Sequence, residues 1–452
     1  MNHYETSVTV AAKLDRLPLS RFHYKLLTIN GCAWAFDAFD VGLVTFIATA
    51  LIQAWNLSSA QVGILLSSGL LGMMAGAFLS GPAADRFGRK AVFQWTMLIF
   101  SASSLACAFA WDFTSLICFR FLVGIGLGGE TPVVTALMGE FIPAKDRGKV
   151  QGLLNTFWAF GWLAAAALSY FIIPGIVDGW RWAFVAGALP SLYIWVVRRK
   201  LPESPRWLAL QGRDEEALAI VAQIETEVAK TTAIPPLTDA DIAAVSVVGK
   251  ASIGTLFAPT YWRSTVMLWI LWFFGMFGYY GLFAWMPSLL VKAGHSMVKS
   301  FLYVVIMQMA YIPNQILCAY GMDKYGRKRL LTANLLLAGL STILFGWALG
   351  FGALDIVQVI ILGILTSFFV SGVWGITYTY TPELYPTGIR VTGTSMAATC
   401  SRMGSMLAPL VIGYALTVVG VTGAMTIVAG AFILAGIVVA ILGRETKGRG
   451  LQ

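Results

Sequence analysis

The chain has 452 residues, 58% of them hydrophobic and 12% charged, with a formal net charge of +9. A soluble globular protein carries about 25% charged residues, and a soluble chain this apolar would expose large sticky patches, which lipid as solvent removes. The basic residues stand in short clusters between long apolar runs, so they report membrane topology and argue against nucleic-acid binding.

Residues 1–25 are polar and carry no apolar h-region, so no cleavable signal peptide is expected and the first membrane helix is expected to direct insertion. A helix needs about 20 apolar residues to cross the hydrocarbon core. Twelve runs meet that need, at 26–54, 59–84, 91–111, 113–139, 150–174, 180–200, 265–292, 300–322, 330–350, 354–380, 392–418 and 422–443. None alternates with the period of two that barrel strands require. With both termini in the cytoplasm, 26 of the 31 Lys and Arg fall on the inner side. Only Arg181, Lys292 and Lys299 fall outside, while Arg120 and Arg402 lie within spans. That bias sets the orientation.

One long polar segment, 201–260, separates an N-terminal half (1–200) from a C-terminal half (261–452). Within it Ala217, Val221, Ile224 and Val228 fall on one helical face, opposite Glu215, Glu216 and Glu227, as in a surface helix packed under a bundle. Cys32, Cys107, Cys118, Cys318 and Cys400 all lie in apolar runs, and His3, His23 and His295 lie far apart. Neither set matches a disulfide framework or a metal site. No nucleotide-binding loop is present, so ATP-driven transport by this chain alone is not expected; no cofactor is expected, and the chain reads as a carrier and not an enzyme. Gly124-x-Gly126-x-x-Gly129 matches a dinucleotide fingerprint as a string, but it follows no strand, and close helix packing explains it better.

Three cytoplasmic signatures occur twice at a near-constant offset. Asp85-Arg86-Phe87-Gly88-Arg89-Lys90 pairs with Asp323-Lys324-Tyr325-Gly326-Arg327-Lys328. Glu140-x-x-Pro143-x-x-x-Arg147 pairs with Glu383-x-x-Pro386-x-x-x-Arg390, and Pro202-Glu203-Ser204 with Arg444-Glu445-Thr446. Two six-helix halves follow, with a solute site between them near mid-membrane. Asp85, Arg89, Glu140, Arg147, Asp323, Arg327, Glu383 and Arg390 are candidate gating charges that latch the halves when the inner side closes. The competing role is loop anchoring at the lipid surface.

These motifs resemble the major facilitator superfamily over the whole chain, together with Pro202-Glu203-Ser204-Pro205-Arg206 and Glu383-Leu384-Tyr385-Pro386-Thr387. The resemblance implies an all-α membrane protein with the major facilitator fold, twelve transmembrane helices in two six-helix halves. Within the superfamily the chain looks most like the bacterial niacin (nicotinate) porters. Their relatives include the synaptic-vesicle-protein-2-like group and the organic anion and cation transporters. Asp37-Ala38-Phe39-Asp40, Tyr279-Tyr280-Gly281-Leu282 and Ser401-Arg402-Met403-Gly404-Ser405 fit that branch. The tail Arg444-Glu445-Thr446-Lys447-Gly448 departs from the Pro-Glu-Thr-Lys-Gly of sugar porters, which weakens a hexose reading.

A charge at bilayer mid-depth costs roughly 3 kcal/mol or more, so it faces a partner or a wet cavity. Asp37, Asp40, Arg120, Glu130 and Arg402 are such residues. The resemblance to organic anion transporters implies that Arg402 receives a substrate carboxylate, for which a guanidinium offers a planar fork of donors. The alternative is a structural pair with Asp37, Asp40 or Glu130. Asp40 and Arg120 match residues that sugar–proton symporters use for proton coupling, and a permanent pair between spans 1 and 4 is the alternative. Asp37, one turn from Asp40, would share the proton or face the solute. Glu130 is given no role beyond helix packing. Trp158, Tyr279, Tyr280, Trp374 and Tyr378 align with cavity-lining positions of the organic anion transporters, and Gln308 is a weaker polar candidate. Rings there would stack on a flat aromatic carboxylate, or serve as core.

The expected activity is therefore proton-coupled uptake of nicotinate or a similar small aromatic carboxylate. It would be performed by a monomer in the cell inner membrane, whose partners are the substrate, protons and the lipid bilayer. Porters for benzoate-type acids, sugars or drugs, and a receptor that has lost transport, are the rivals.

Overall fold

The computed structural model of the protein describes residues 3–143, 146–238, 242, 253–352 and 355–447. Its elements are helices: α1 (His3–Asp15), α2 (Arg21–Ala54), α3 (Ser59–Phe87), α4 (Arg89–Ala108), α5 (Phe113–Phe141), α6 (Arg147–Ile172), α7 (Gly179–Gly187), α8 (Pro190–Lys200), α9 (Pro205–Leu210) and α10 (Asp214–Ala229). After a 3₁₀ turn at Ile253–Phe257 come α11 (Trp262–Phe283), α12 (Met286–Lys292), α13 (Met297–Met309), α14 (Tyr311–Tyr325), α15 (Arg327–Phe351), α16 (Ile356–Glu383), α17 (Thr387–Val418) and α18 (Gly420–Leu442).

Long apolar runs become helices because lipid offers the backbone no hydrogen-bond partner, so each segment must satisfy its own. Eleven stretches among the described residues are long and apolar enough to cross a membrane. The expected run at 392–418 lies in α17, a 32-residue helix whose polar middle around Arg402 keeps it outside that group. Large apolar side chains cover the outer faces, Phe78 being 80% exposed and Phe171 72%. Such a surface suits lipid and not water. Three of the expected spans are each built from two helices. α8 starts at Pro190 after α7 stops, α12 starts beside Pro287 after α11 stops, and a single residue, Ala310, parts α13 from α14. Proline lacks the donor that would continue the preceding turn.

The chain forms two compact units: Met1–Ala38 with Gly72–Gly161 and Val185–Gly249, and Phe39–Leu71 with Trp162–Phe184 and Lys250–Gln452. In the first unit one apolar cluster runs from Val10, Leu14 and Leu17 through Phe93, Met97, Leu137 and Phe141 to Trp207, Val221 and Val228. It joins the N-terminal helix α1 and the linker helices α9 and α10 to the membrane helices. Ion pairs of Asp15 with Arg206 (3.0 Å) and of Arg16 with Glu225 tie the same elements together. The glycines of the dinucleotide-like string serve packing. A Cβ at Gly126 would lie 2.5 Å from the Phe100 backbone nitrogen, and one at Gly129 would lie 2.7 Å from Thr96 Cγ2.

In the second unit residues 39–71 pack on helices from the second half of the sequence. Thr49 Oγ1 and Ser288 Oγ lie 2.7 Å apart, the Phe46 and Phe301 rings meet edge-on at 4.8 Å, and Lys292 donates to Ser59.

The duplicated motifs fold alike. In the first unit the Glu203 carboxylate accepts the backbone N–H groups of Arg89 (3.0 Å) and Lys90 (3.2 Å) at the start of α4. Arg89 itself pairs with Asp85 (3.0 Å) and Glu140 (3.1 Å) and donates to the Ala84 carbonyl (3.0 Å). In the second unit Glu445 accepts the N–H of Arg327 (2.8 Å) at the start of α15. Arg327 pairs with Asp323 (3.1 Å) and Glu383 (3.2 Å) and donates to the Met322 carbonyl (3.1 Å). Each glutamate sits on a helix N-terminus, where unpaired N–H groups and the helix dipole favour an anion. The ion pairs of Arg89 and Arg327 thus run inside their own repeats. Arg390 donates to the carbonyls of Pro382 and Tyr385 at 3.1 and 3.2 Å. The Arg147 side chain lies outside the described residues.

Gly88 (φ 95°, ψ 154°) and Gly326 (φ 91°, ψ 158°) make room for those carboxylates. A Cβ there would approach Glu203 Oε2 to 2.5 Å and Glu445 Oε2 to 2.4 Å. That backbone region is essentially open only to glycine. Gly88→Ala and Gly326→Ala are each expected to cost about 1–3 kcal/mol, checked as a lower Tm of the purified protein in detergent, with Gly81→Ala near neutral because its Cβ would meet nothing within 4 Å.

Candidate functional site

The second unit gathers aromatic side chains from three helices, and a fourth brings the arginine. α11 contributes Trp272, Tyr279 and Tyr280, α16 contributes Trp374 and Tyr378, α14 contributes Tyr311 and Gln315, and α17 contributes Arg402. Trp374 and Tyr378 are one turn apart and so share a helix face, with ring centroids 6.5 Å apart. Tyr279 meets Trp374 at 5.8 Å with its ring nearly perpendicular, and Tyr280 at 5.3 Å. Trp272 lies 5.1 Å from Tyr378 and 5.9 Å from Trp374. The Trp374 ring passes Gly275, one turn before Tyr279, 3.4 Å from where a Cβ would stand. Edge-to-face packing of this kind is favoured by the ring quadrupoles.

Polar atoms within the cluster are unevenly satisfied. Trp272 Nε1 donates to Thr381 Oγ1 at 3.0 Å, and Gln315 Nε2 donates to the Ser371 carbonyl at 3.1 Å. Tyr311 hydrogen-bonds the Gln315 side chain. The Trp374 indole N–H is buried with no hydrogen-bond partner among the described residues. Gln308 stands on α13, its Oε1 likewise buried without a partner, and it takes no part in the ring contacts above.

Arg402 is half-buried, with no hydrogen bond or ion pair to a described residue. Its guanidinium lies within electrostatic reach of the hydroxyls of Tyr280 and Tyr378. A cation within reach of two phenols, with no ion pair to a described residue, can receive a carboxylate bidentately while nearby rings take up a flat apolar body.

The other expected residues sit elsewhere. Trp158 belongs to the first unit, where its ring meets Trp34 at 6.2 Å. Asp37 and Arg120 also belong to the first unit and Asp40 to the second. They are 1%, 3% and 1% exposed, and each interacts with other groups of the protein. Three cluster members, Trp272, Tyr311 and Gln315, escaped the sequence reading. Trp272 is seven residues before Tyr279, a spacing that returns to the same helix face. Tyr311 and Gln315 are a polar pair one turn apart in an apolar run. Trp272→Phe removes one hydrogen bond from the cluster, and a loss of about 1 kcal/mol is expected, checked by denaturation of the purified variant against wild type.

A multi-pass helical bundle with a duplicated loop network and a half-buried cation near an aromatic cluster has the make-up of a solute carrier with the major facilitator fold. The profile of the family described as "Sugar (and other) transporter" matches residues 18–452, and the chain belongs to that family. It is 41% identical to the niacin transporter NiaP of Acinetobacter baylyi over 98% of this chain and 99% of the relative. It is 38% identical to the putative niacin/nicotinamide transporter NiaP of Bacillus subtilis over 94% and 96%. The xylose transporter XylE from E. coli, in a partially occluded inward open conformation, superposes with a TM-score of 0.78 at 18% identity, over 96% of this chain and 100% of that one. At that identity the likeness defines the fold alone. These relatives are transporters and not enzymes.

Proposed function

We propose that the chain is a secondary carrier that takes up nicotinate, or a similar small aromatic carboxylate, together with protons by alternating access. In this reading twelve spans form two halves, 1–200 and 261–452, joined by the linker 201–260, in the cell inner membrane with both termini cytoplasmic. The observation that carries it is Arg402, half-buried and without an ion pair among the described residues, beside Tyr280 and Tyr378. A half-buried guanidinium with no carboxylate of its own favours an anionic guest. Tyr279, Tyr280, Trp374 and Tyr378 would hold the ring; Trp158, Asp37 and Gln308 are further candidates that the family resemblance supplies. The names of the two niacin-transporter relatives support the same cargo.

Asp40 and Arg120 would handle the proton, since both are almost wholly buried yet ionisable. The loop charges Asp85, Arg89, Glu140, Arg147, Asp323, Arg327, Glu383 and Arg390 would gate the cytoplasmic face, the Arg89 and Arg327 networks keeping each helix end rigid as it moves. On the orientation read from the Lys and Arg bias, the Thr49–Ser288, Phe46–Phe301 and Lys292–Ser59 contacts close the outer face.

Uptake of labelled nicotinate into proteoliposomes tests the reading. A hydrogen-bonded pair with a charged group contributes about 1.5–3 kcal/mol, so Arg402→Ala is expected to raise the apparent KM by about ten- to a hundredfold. Arg402→Lys should recover part of the loss. Equal uptake by wild type and Arg402→Ala would remove the carboxylate role. One relative's name also carries nicotinamide, which lacks the charge. Nicotinate is expected to raise the Tm of the purified carrier and nicotinamide not to, because only a ligand of the native state stabilises it. Equal shifts would favour the uncharged amide.

A further inference from the structure

Glu130, the one intramembrane charge without a role above, stands on α5 in the first unit and is 1% exposed. Its Oε1 is buried with no hydrogen-bond partner, and no described Lys, Arg or His forms an ion pair with it. The titratable group that faces it is Tyr193 on α8, whose hydroxyl donates to the Ile29 carbonyl at 3.1 Å and also meets Cys32 on α2. The helices packed beside this turn of α5 present neutral groups, Ser80 on α3 and Thr96 on α4, next to Gly129. Along α5 itself Arg120 and Glu140 are each ten residues away, about 15 Å at 1.5 Å per residue. On α2, Asp37 lies five residues beyond Cys32.

An ionised carboxylate withdrawn from water without a cation is among the costliest groups a bundle can hold, and binding a proton removes that cost. A residue chosen only for packing would carry no such penalty. We propose that Glu130 is a second proton-binding carboxyl of the carrier, separate from Asp40 and Arg120, which holds its proton while sealed in the first unit and exchanges it when the cycle admits water. This rests on the reading of the chain as a proton-coupled carrier. The step forms one O–H bond on the carboxylate in one half of the cycle and breaks it in the other, and the proton gradient supplies the proton.

The test uses the full-length carrier in proteoliposomes with Glu130→Gln, a near-isosteric and permanently neutral variant, and Glu130→Asp, which restores the acid. Counterflow of labelled nicotinate at equal pH on both sides needs no net proton movement, whereas accumulation driven by an acidic outside does. Glu130→Gln is expected to keep counterflow within about twofold of wild type and to lose gradient-driven accumulation by tenfold or more, with Glu130→Asp regaining much of it. Accumulation at the wild-type level in Glu130→Gln overturns the proposal. So does loss of both activities in a variant whose size-exclusion profile and Tm match wild type, because that is a structural role.

If wild type itself shows no nicotinate counterflow, the cargo reading fails, and a measurement without substrate decides Glu130. Infrared difference spectra of wild type and Glu130→Gln at neutral pH are expected to differ by one protonated-carboxyl band. No difference overturns the proposal, whatever the cargo.

Discussion

A charge taken out of water must be met by an opposite charge, an aligned dipole, a proton or a wet surface, since the uncompensated cost is several kcal/mol per ion. Each of the first two answers is visible, and visible twice. Arg89 and Arg327 are met by carboxylates on two sides and by a carbonyl at the end of the preceding helix. Glu203 and Glu445 are met by the exposed amides of α4 and α15. The third and fourth answers belong to residues that could move something. Glu130 forms no ion pair with a described Lys, Arg or His, and Arg402 has the phenols of Tyr280 and Tyr378 within electrostatic reach in place of a carboxylate. The loop charges Arg89, Arg327, Glu203 and Glu445 are met within their own repeats, whereas Glu130 and Arg402 form no ion pair among the described residues.

Much of the framework could be read from the residues because lipid imposes one rule on every span. Hydropathy alone marked the eleven stretches that are long and apolar enough to cross a membrane, and the apolar face of α10, Ala217, Val221, Ile224 and Val228, is buried as its period demands. The pairing Asp85–Arg89 was not read from the sequence, because it spans the break at Gly88 between α3 and α4. The pairing Arg89–Glu140 was not either, since it joins residues 51 apart that only tertiary structure brings together. For the same reason the glutamates of the two short tail signatures gave no hint that they cap helices. The N-terminal helix escaped notice because its apolar positions are few and its buried face appears only once α9 and α10 are beside it. The interruption at Ala310 lies inside an unbroken apolar run, so hydropathy passes over it, although Pro313 stands three residues on.

The candidate site was legible where one helix carries the geometry and illegible where several meet. Trp374 and Tyr378, one turn apart, do pack together. Tyr279 meets Trp374 from another helix, a contact that no single-helix pattern reveals. Trp158, assigned to the same ring cluster by resemblance, packs on Trp34 in the other unit. Arg402 was marked by its depth in an apolar run, and that same depth is why α17 falls short of the hydropathy of its neighbours.

The seat of α1 has a consequence for biosynthesis. Val10, Leu14 and Leu17 are buried against residues that include Trp207, Val221 and Val228, and Asp15 pairs with Arg206. Those partners are translated some two hundred residues later, which at about 5–20 residues per second is a delay on the order of ten seconds or more. Through that interval the leading segment has no docking surface, and an unpaired amphipathic stretch is the kind of sequence that ribosome-associated chaperones or the membrane interface would hold. Its docking on α9 and α10 is a long-range contact that must wait until those two linker helices have been delivered.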